Sequence, residues 1–232
     1  MKTTIKQLKN ALSEIEFYTQ FPTMIPFVGD YYISDQHKKM LLVGESFYFP
    51  NASTIHKDAD KWYNAKQKDL GIVIEDGKPE KEIEWIDCDG LLRSDWSADG
   101  HAMYKNINTA IKEVLTHYHN RPIDEIAYTN FFVRPALRGL SFNEYKKYGD
   151  ITEDVKYANK VLENVINILA PNLLVFVSKS AFDTANKAYL NANPNLNVEF
   201  VCHPADPFHW PKKNYPHNKE KFLRILKEKF VN

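Results

Sequence analysis

The chain has 232 residues, 44% of them hydrophobic, which fits one large α/β domain or two small ones with a core of ordinary size. Thirty Lys+Arg balance thirty Asp+Glu, and a formal net charge of zero gives no support to tight nonspecific DNA binding unless folding builds a local basic patch. Two cysteines, Cys88 and Cys202, exclude a disulfide framework and a four-cysteine zinc or iron–sulfur site. A reducing compartment is the natural reading. No basic-then-apolar leader opens the sequence and no apolar run reaches spanning length, so a soluble cytoplasmic protein with no membrane partner is expected.

In chain order, Ile5, Leu8, Leu12, Ile15 and Phe17 roughly follow a helical stripe over 3–20. The aromatic and proline-rich stretch 21–34 reads as a loop crossing a sheet edge. A first strand is predicted over 39–44, ending at Gly44 and opening into Glu45-Ser46-Phe47-Tyr48. Residues 51–105 form a long excursion with a turn at Asp76-Gly77 and an alternating run, EKEIEWID, that suggests a short strand. Two readings of it stand: a hairpin with lid segments over a site, or an insertion with its own small cluster. Ile107, Ile111, Val114, Leu115 and Tyr118 give a helix over 105–119, followed by a second strand at about 125–132. A helix over 152–169 is capped by Thr152, carries Glu153 and Asp154 in its first turn, and stops at Pro171. The unbroken apolar run LLVFVS, 173–178, predicts a strand buried on both faces. A helix at 179–190, a fourth strand at 197–202 and a last helix at 217–230 complete the alternation. The order predicts one α/β domain over 1–232: a three-layer α/β/α sandwich around a four-stranded, mainly parallel sheet.

Each strand end carries a polar group. The first gives Glu45, Ser46 and Tyr48, the second Thr129, Asn130 and Arg134, the third Ser178 and Lys179, and the fourth His203 with Asp206 close behind. Parallel strands bring these to one edge, where open α/β sheets bind ligands. Each also has a plainer reading. Glu45 can cap a helix, Tyr48 can belong to the core, Arg134 and Arg138 can form surface ion pairs, and Lys179 can be solvated. Cys202 reads as a small buried apolar residue. His56, His101, His117 and His119 show no spacing that demands a metal, and no metal or cofactor is expected. The absence of GxSxG and GxxxxGK[ST] disfavours serine hydrolases of that type and P-loop NTPases.

Taken together, GESFY (44–48), YTNFFVRP (128–135), LLVFVSKSAFDTA (173–185) and CHPADP (202–207) resemble the uracil-DNA glycosylase superfamily. The likeness covers about 38–48 and, in patches, 105–207. The resemblance implies that fold and hydrolysis of the N-glycosidic bond of uracil or another damaged base in DNA. It casts Glu45, Ser46 and His203 as catalytic, Phe47, Tyr48 and Asn130 as base-binding, and Arg134, Lys179 and Lys212 as contacts to the nucleic-acid backbone. DNA carrying such a base is the implied partner. The sequence departs from the pattern at Ser46, where the best-known branch has the water-activating aspartate, and at Ala205, where that branch has a serine. Glu45 is similar to the glutamate of the iron–sulfur branch, whose cluster cysteines this chain lacks. The residue inserted into the duplex falls near Pro207 or Phe208. The alternative is a non-catalytic relative that binds a nucleobase or nucleic acid, or serves as a protein-interaction module.

Overall fold

The computed structural model describes residues 3–96, 101–137, 142, 150–206, 210 and 217–231. Helix α1 (Ile5–Ser13) begins on a reciprocal cap, in which the Thr4 hydroxyl accepts from the Gln7 N–H and the Gln7 side chain accepts from the Thr4 N–H. The single helix predicted over 3–20 breaks at Ile15, whose backbone is extended, and resumes as α2 (Glu16–Gln20). The break turns Phe17 onto Phe21, and Phe21 stacks on Trp62 with ring centroids 4.5 Å apart. Burying these rings outweighs the few helical hydrogen bonds lost. The stretch read as a loop contributes a two-residue strand, β1 (Phe27–Val28).

Strand β2 (Met40–Phe49) starts with fully buried Met40, Leu41, Leu42 and Val43. The excursion after it holds α3 (Ala59–Asn64), a hairpin of β3 (Ile72–Glu75) and β4 (Lys78–Lys81), and α4 (Cys88–Arg93). The hairpin turns at Asp76 and Gly77, with φ of 51° and 75°, so both residues sit in the left-handed region that Asp-Gly tolerates. Of EKEIEWID, only Glu80 and Lys81 are strand. The rest tightens into a 3-10 turn, Glu82–Ile86, that buries Ile86 and presents Trp85.

Helix α5 (Ala102–Val114) begins and ends earlier than its predicted 105–119. It leads to β5 (Ala127–Leu137), then α6 (Thr152–Leu169), whose N-cap is Ile151 rather than the predicted Thr152; Thr152 is the first helical residue, and its N–H and hydroxyl donate to Asp150. Strand β6 (Leu173–Phe176) is shorter than predicted because Ser178 serves instead as N-cap of α7 (Lys179–Thr184). The predicted 179–190 helix is divided at Ala185 and Asn186, which open α8 (Lys187–Asn191). Edge strand β7 (Asn197–Phe200) and α9 (His217–Ile225), continued by a π-helical turn at Leu226–Phe230, follow.

The central sheet has five strands in the order β1-β5-β2-β6-β7, one more than expected. The four predicted strands are mutually parallel, and β1 adds an antiparallel edge. Helix α1 packs against α6 and α5 against α9, an arrangement compatible with an α/β/α sandwich. From β2 the chain goes on to β5 on one side, whereas from β6 it goes on to β7 on the other, so a crevice opens beyond their carboxyl ends. Strand β2 does not stop at Gly44, and β5 does not stop at Phe132. The two run on together through Tyr48↔Ala136 and Phe49↔Leu137, with a register shift between Ser46 and Tyr48. The GESFY segment is therefore strand, so no helix opens directly after Gly44 for Glu45 to cap. Among the described residues no helix is long and apolar enough to cross a membrane.

Candidate active site

A cavity of about 410 Å³ lies against the second half of β2 and the first half of β5. Glu45, Ser46, Phe47 and Tyr48 of β2 line it, with Asn130 of β5 and His203 from the turn after β7. These are the six residues that the sequence assigned to catalysis and base binding. Tyr104, Tyr128 and Trp85 add aromatic wall that the sequence reading missed. Tyr128 was legible in principle, since it sits two residues before Asn130 on one strand and so shares its face. Tyr104 comes from α5 and Trp85 from the excursion, and no local pattern marks either. Trp85 brings the excursion to the cavity wall, and Ile86 and Trp62 bury other parts of it in the main core.

The amide of Asn130 is oriented from behind. The Tyr128 hydroxyl donates to Asn130 Oδ1 at 3.0 Å. A Cβ on Gly44 would stand 2.3 Å from that oxygen and 2.1 Å from the Tyr128 hydroxyl, so only glycine lets this pair lie against β2. With Oδ1 held there, Nδ2 is the end left to donate. The Tyr104 ring meets that of Tyr128 edge-on with centroids 5.6 Å apart, and burial holds both phenols far above their ordinary pKa. Tyr48 is raised too, first by burial and then by the Glu45 carboxylate. All three tyrosines are neutral donors or acceptors at physiological pH.

His203 is set by its own turn. The Ala205 N–H donates to His203 Nδ1 at 3.2 Å, and Asn106 of α5 pins the Pro204 carbonyl at 2.7 Å. An Nδ1 that accepts leaves the neutral ring's proton on Nε2. Burial lowers the His203 pKa from 6.5, against the opposing pull of the Glu45 and Asp206 carboxylates, so the ring is neutral near pH 7. Glu45 is fixed by two donors, the Phe142 N–H at 2.7 Å on Oε1 and the Ser178 hydroxyl at 2.9 Å on Oε2. Ser178 accepts from the Ala181 N–H at the start of α7, so its own proton faces Glu45. Ser46 Oγ is buried with no hydrogen-bond partner.

The assignment of Arg134 to a nucleic-acid backbone is corrected. Arg134 is 3% exposed, and its guanidinium grips Asp154 through Nε at 2.7 Å and Nη2 at 2.5 Å while Nη1 donates to the His56 carbonyl at 2.9 Å. Its ion pair is buried rather than superficial, and a bidentate grip leaves no face for phosphate. Lys179 is exposed at the start of α7 and ion-paired with Asp183 one turn on. Lys212, Arg138, Pro207 and Phe208 lie outside the described residues. Cys202 is half-buried rather than buried. Among the described residues no group of three or more His, Cys, Asp or Glu side chains is placed to hold a metal ion. No protein-family model matches the chain, and no curated protein matches it in sequence.

Proposed function

We propose that the chain is a divergent member of the uracil-DNA glycosylase superfamily that hydrolyses the N-glycosidic bond of uracil or another damaged base in DNA. One observation carries the reading: Glu45, Asn130 and His203 share a single cavity with Phe47 and Tyr48. Glycosidic cleavage sends the bond's electron pair to the base and leaves positive charge on the sugar. The Nε2–H of a neutral His203 donates to the base as negative charge builds there, which stabilises the leaving group without a proton transfer. Asn130 Nδ2 donates to the base edge, and Phe47 and Tyr48 wall the ring. Water adds to the anomeric carbon and gives its proton to Glu45, a carboxylate on the same strand as Phe47 and Tyr48. A cavity in the protein requires the base to leave the stack.

A second reading, a non-catalytic base-binding relative, is favoured by the state of Glu45. Both its oxygens already accept a hydrogen bond within the protein before any water arrives, and Ser46 brings no charge in its place. The deciding assay holds protein in excess over single- and double-stranded oligonucleotides with uracil or other deaminated bases, and reads strand scission at abasic sites. We expect release that falls roughly 10²–10³-fold in His203→Ala, the usual cost of removing one donor to a developing anion. Binding without release selects the non-catalytic reading. Neither release nor binding overturns both.

A further inference from the structure

The cavity also bears on which base it takes. We infer that it is built for a 6-oxopurine, read at its O6/N7 edge, rather than for a single-ring pyrimidine; the inference rests on the base-site reading above. Size is the first argument. A cavity of about 410 Å³ equals the liquid volume of roughly fourteen waters at about 30 Å³ each. A single-ring base leaves much of that space without contacts, whereas a fused two-ring base reaches the aromatic walls supplied by Tyr48, Trp85 and Tyr104.

The pattern of donors is the second argument and points the same way. Asn130 Oδ1 is held against Gly44 by the Tyr128 hydroxyl, so its amide offers Nδ2 protons. His203 offers an Nε2–H, because its Nδ1 already accepts from the Ala205 N–H. Uracil presents an N–H between its two carbonyls and asks for an acceptor there. A 6-oxopurine presents adjacent acceptors, O6 and N7, and adenine replaces the first with a donor. The two ring-edge groups whose orientation is fixed, Asn130 Nδ2 and His203 Nε2, are both donors, and that pair takes hypoxanthine, the deamination product of adenine, and turns adenine away. On cleavage, charge delocalised onto O6 and N7 meets the same donors. The described lining residues hold Glu45 and Glu84 and no Lys or Arg, so phosphate stays outside the cavity.

The test uses wild-type protein and matched fluorescent oligonucleotides that differ in one base: hypoxanthine, guanine, adenine or uracil. Free nucleosides are measured in parallel by calorimetry. Hypoxanthine in the oligonucleotide is expected to bind roughly tenfold or more tightly than adenine, the size of one mispaired base-edge contact, and more tightly than uracil. Asn130→Asp keeps an oxygen for Tyr128, replaces the donor by an acceptor, and is expected to shift preference towards adenine. The wild-type order decides the matter even if that variant folds poorly. Uracil binding as tightly as hypoxanthine overturns the purine assignment while leaving a base site. Adenine binding equally overturns the donor argument and the assignment with it. Preference for inosine as a free nucleoside, with none in DNA, supports the 6-oxopurine and overturns the DNA reading. No binding by any base or nucleoside overturns the inference and the base site together.

Discussion

Two of the buried polar side chains on strand β5, Asn130 and Arg134, stand four residues apart and behave as opposites. Arg134, 3% exposed, is saturated: Asp154 and the His56 carbonyl take its guanidinium, and Tyr63 donates to Asp154 at 2.7 Å. Asn130, 7% exposed, is met on one side only, where Tyr128 donates to its oxygen, and its Nδ2 has no hydrogen-bond partner among the described residues. Depth alone does not separate a structural polar group from one that meets a ligand. The balance of donors and acceptors does, because a buried group without a partner is costly and is retained where something else satisfies it. Sequence gave both residues the same weight, as polar groups on one strand. Their surroundings assign Arg134 to the scaffold and Asn130 to the site.

The sharpest way to break this contrast is Asp154→Ala. It leaves the Arg134 charge buried without its counter-ion, and the expected loss of stability is about 3–5 kcal/mol, read from the denaturant midpoint. Base binding per folded molecule is expected to survive, and a selective loss of binding would place Arg134 back in the site. Gly44→Ala attacks the other cluster. Its Cβ collides with the Tyr128 hydroxyl and Asn130 Oδ1, for an expected cost of about 1–3 kcal/mol and loss of base binding out of proportion to it. A variant that binds normally would show that the Tyr128 bond does not aim the amide.

Acid sharpens the comparison further. His56 lies in the scaffold cluster, buried edge-on against Phe49, with neither ring nitrogen bonded. Burial, then the Lys57 and Arg134 charges, lowers its pKa from 6.5 to about 4. The unfolded chain takes up a proton below about 6.5 that the native ring refuses until about 4. Stability therefore falls as pH drops through that window. Thermal midpoints of His56→Leu are expected to fall less steeply with acid than those of the parent. Equal slopes would remove His56 as a cause. The smallest effect is expected at Ser46→Ala, which deletes a hydroxyl with no partner in the protein. Stability should move by about 0.5 kcal/mol or less, and base release should slow less than in His203→Ala. A larger loss of release would make Ser46 the residue that holds the water.

The sequence by itself determined the alternation that builds the sheet. Unbroken apolar runs can be buried only as central strands, and Asp76-Gly77 is locally suited to its turn. It also determined that Glu45, Asn130 and His203 belong to neighbouring parallel strands or the turn after one, although Glu45 and Asn130 lie within β2 and β5 rather than at the predicted ends. Tertiary structure alone decided how far those strands run, because β2 and β5 extend past Gly44 and Phe132 only by pairing with each other. It alone decided that Arg134 is spent on Asp154, 20 residues on, and on His56, 78 residues back. It alone decided which end of the Asn130 amide faces a ligand. A hydrogen bond's direction depends on both partners, and here those partners come from separate strands and a remote helix.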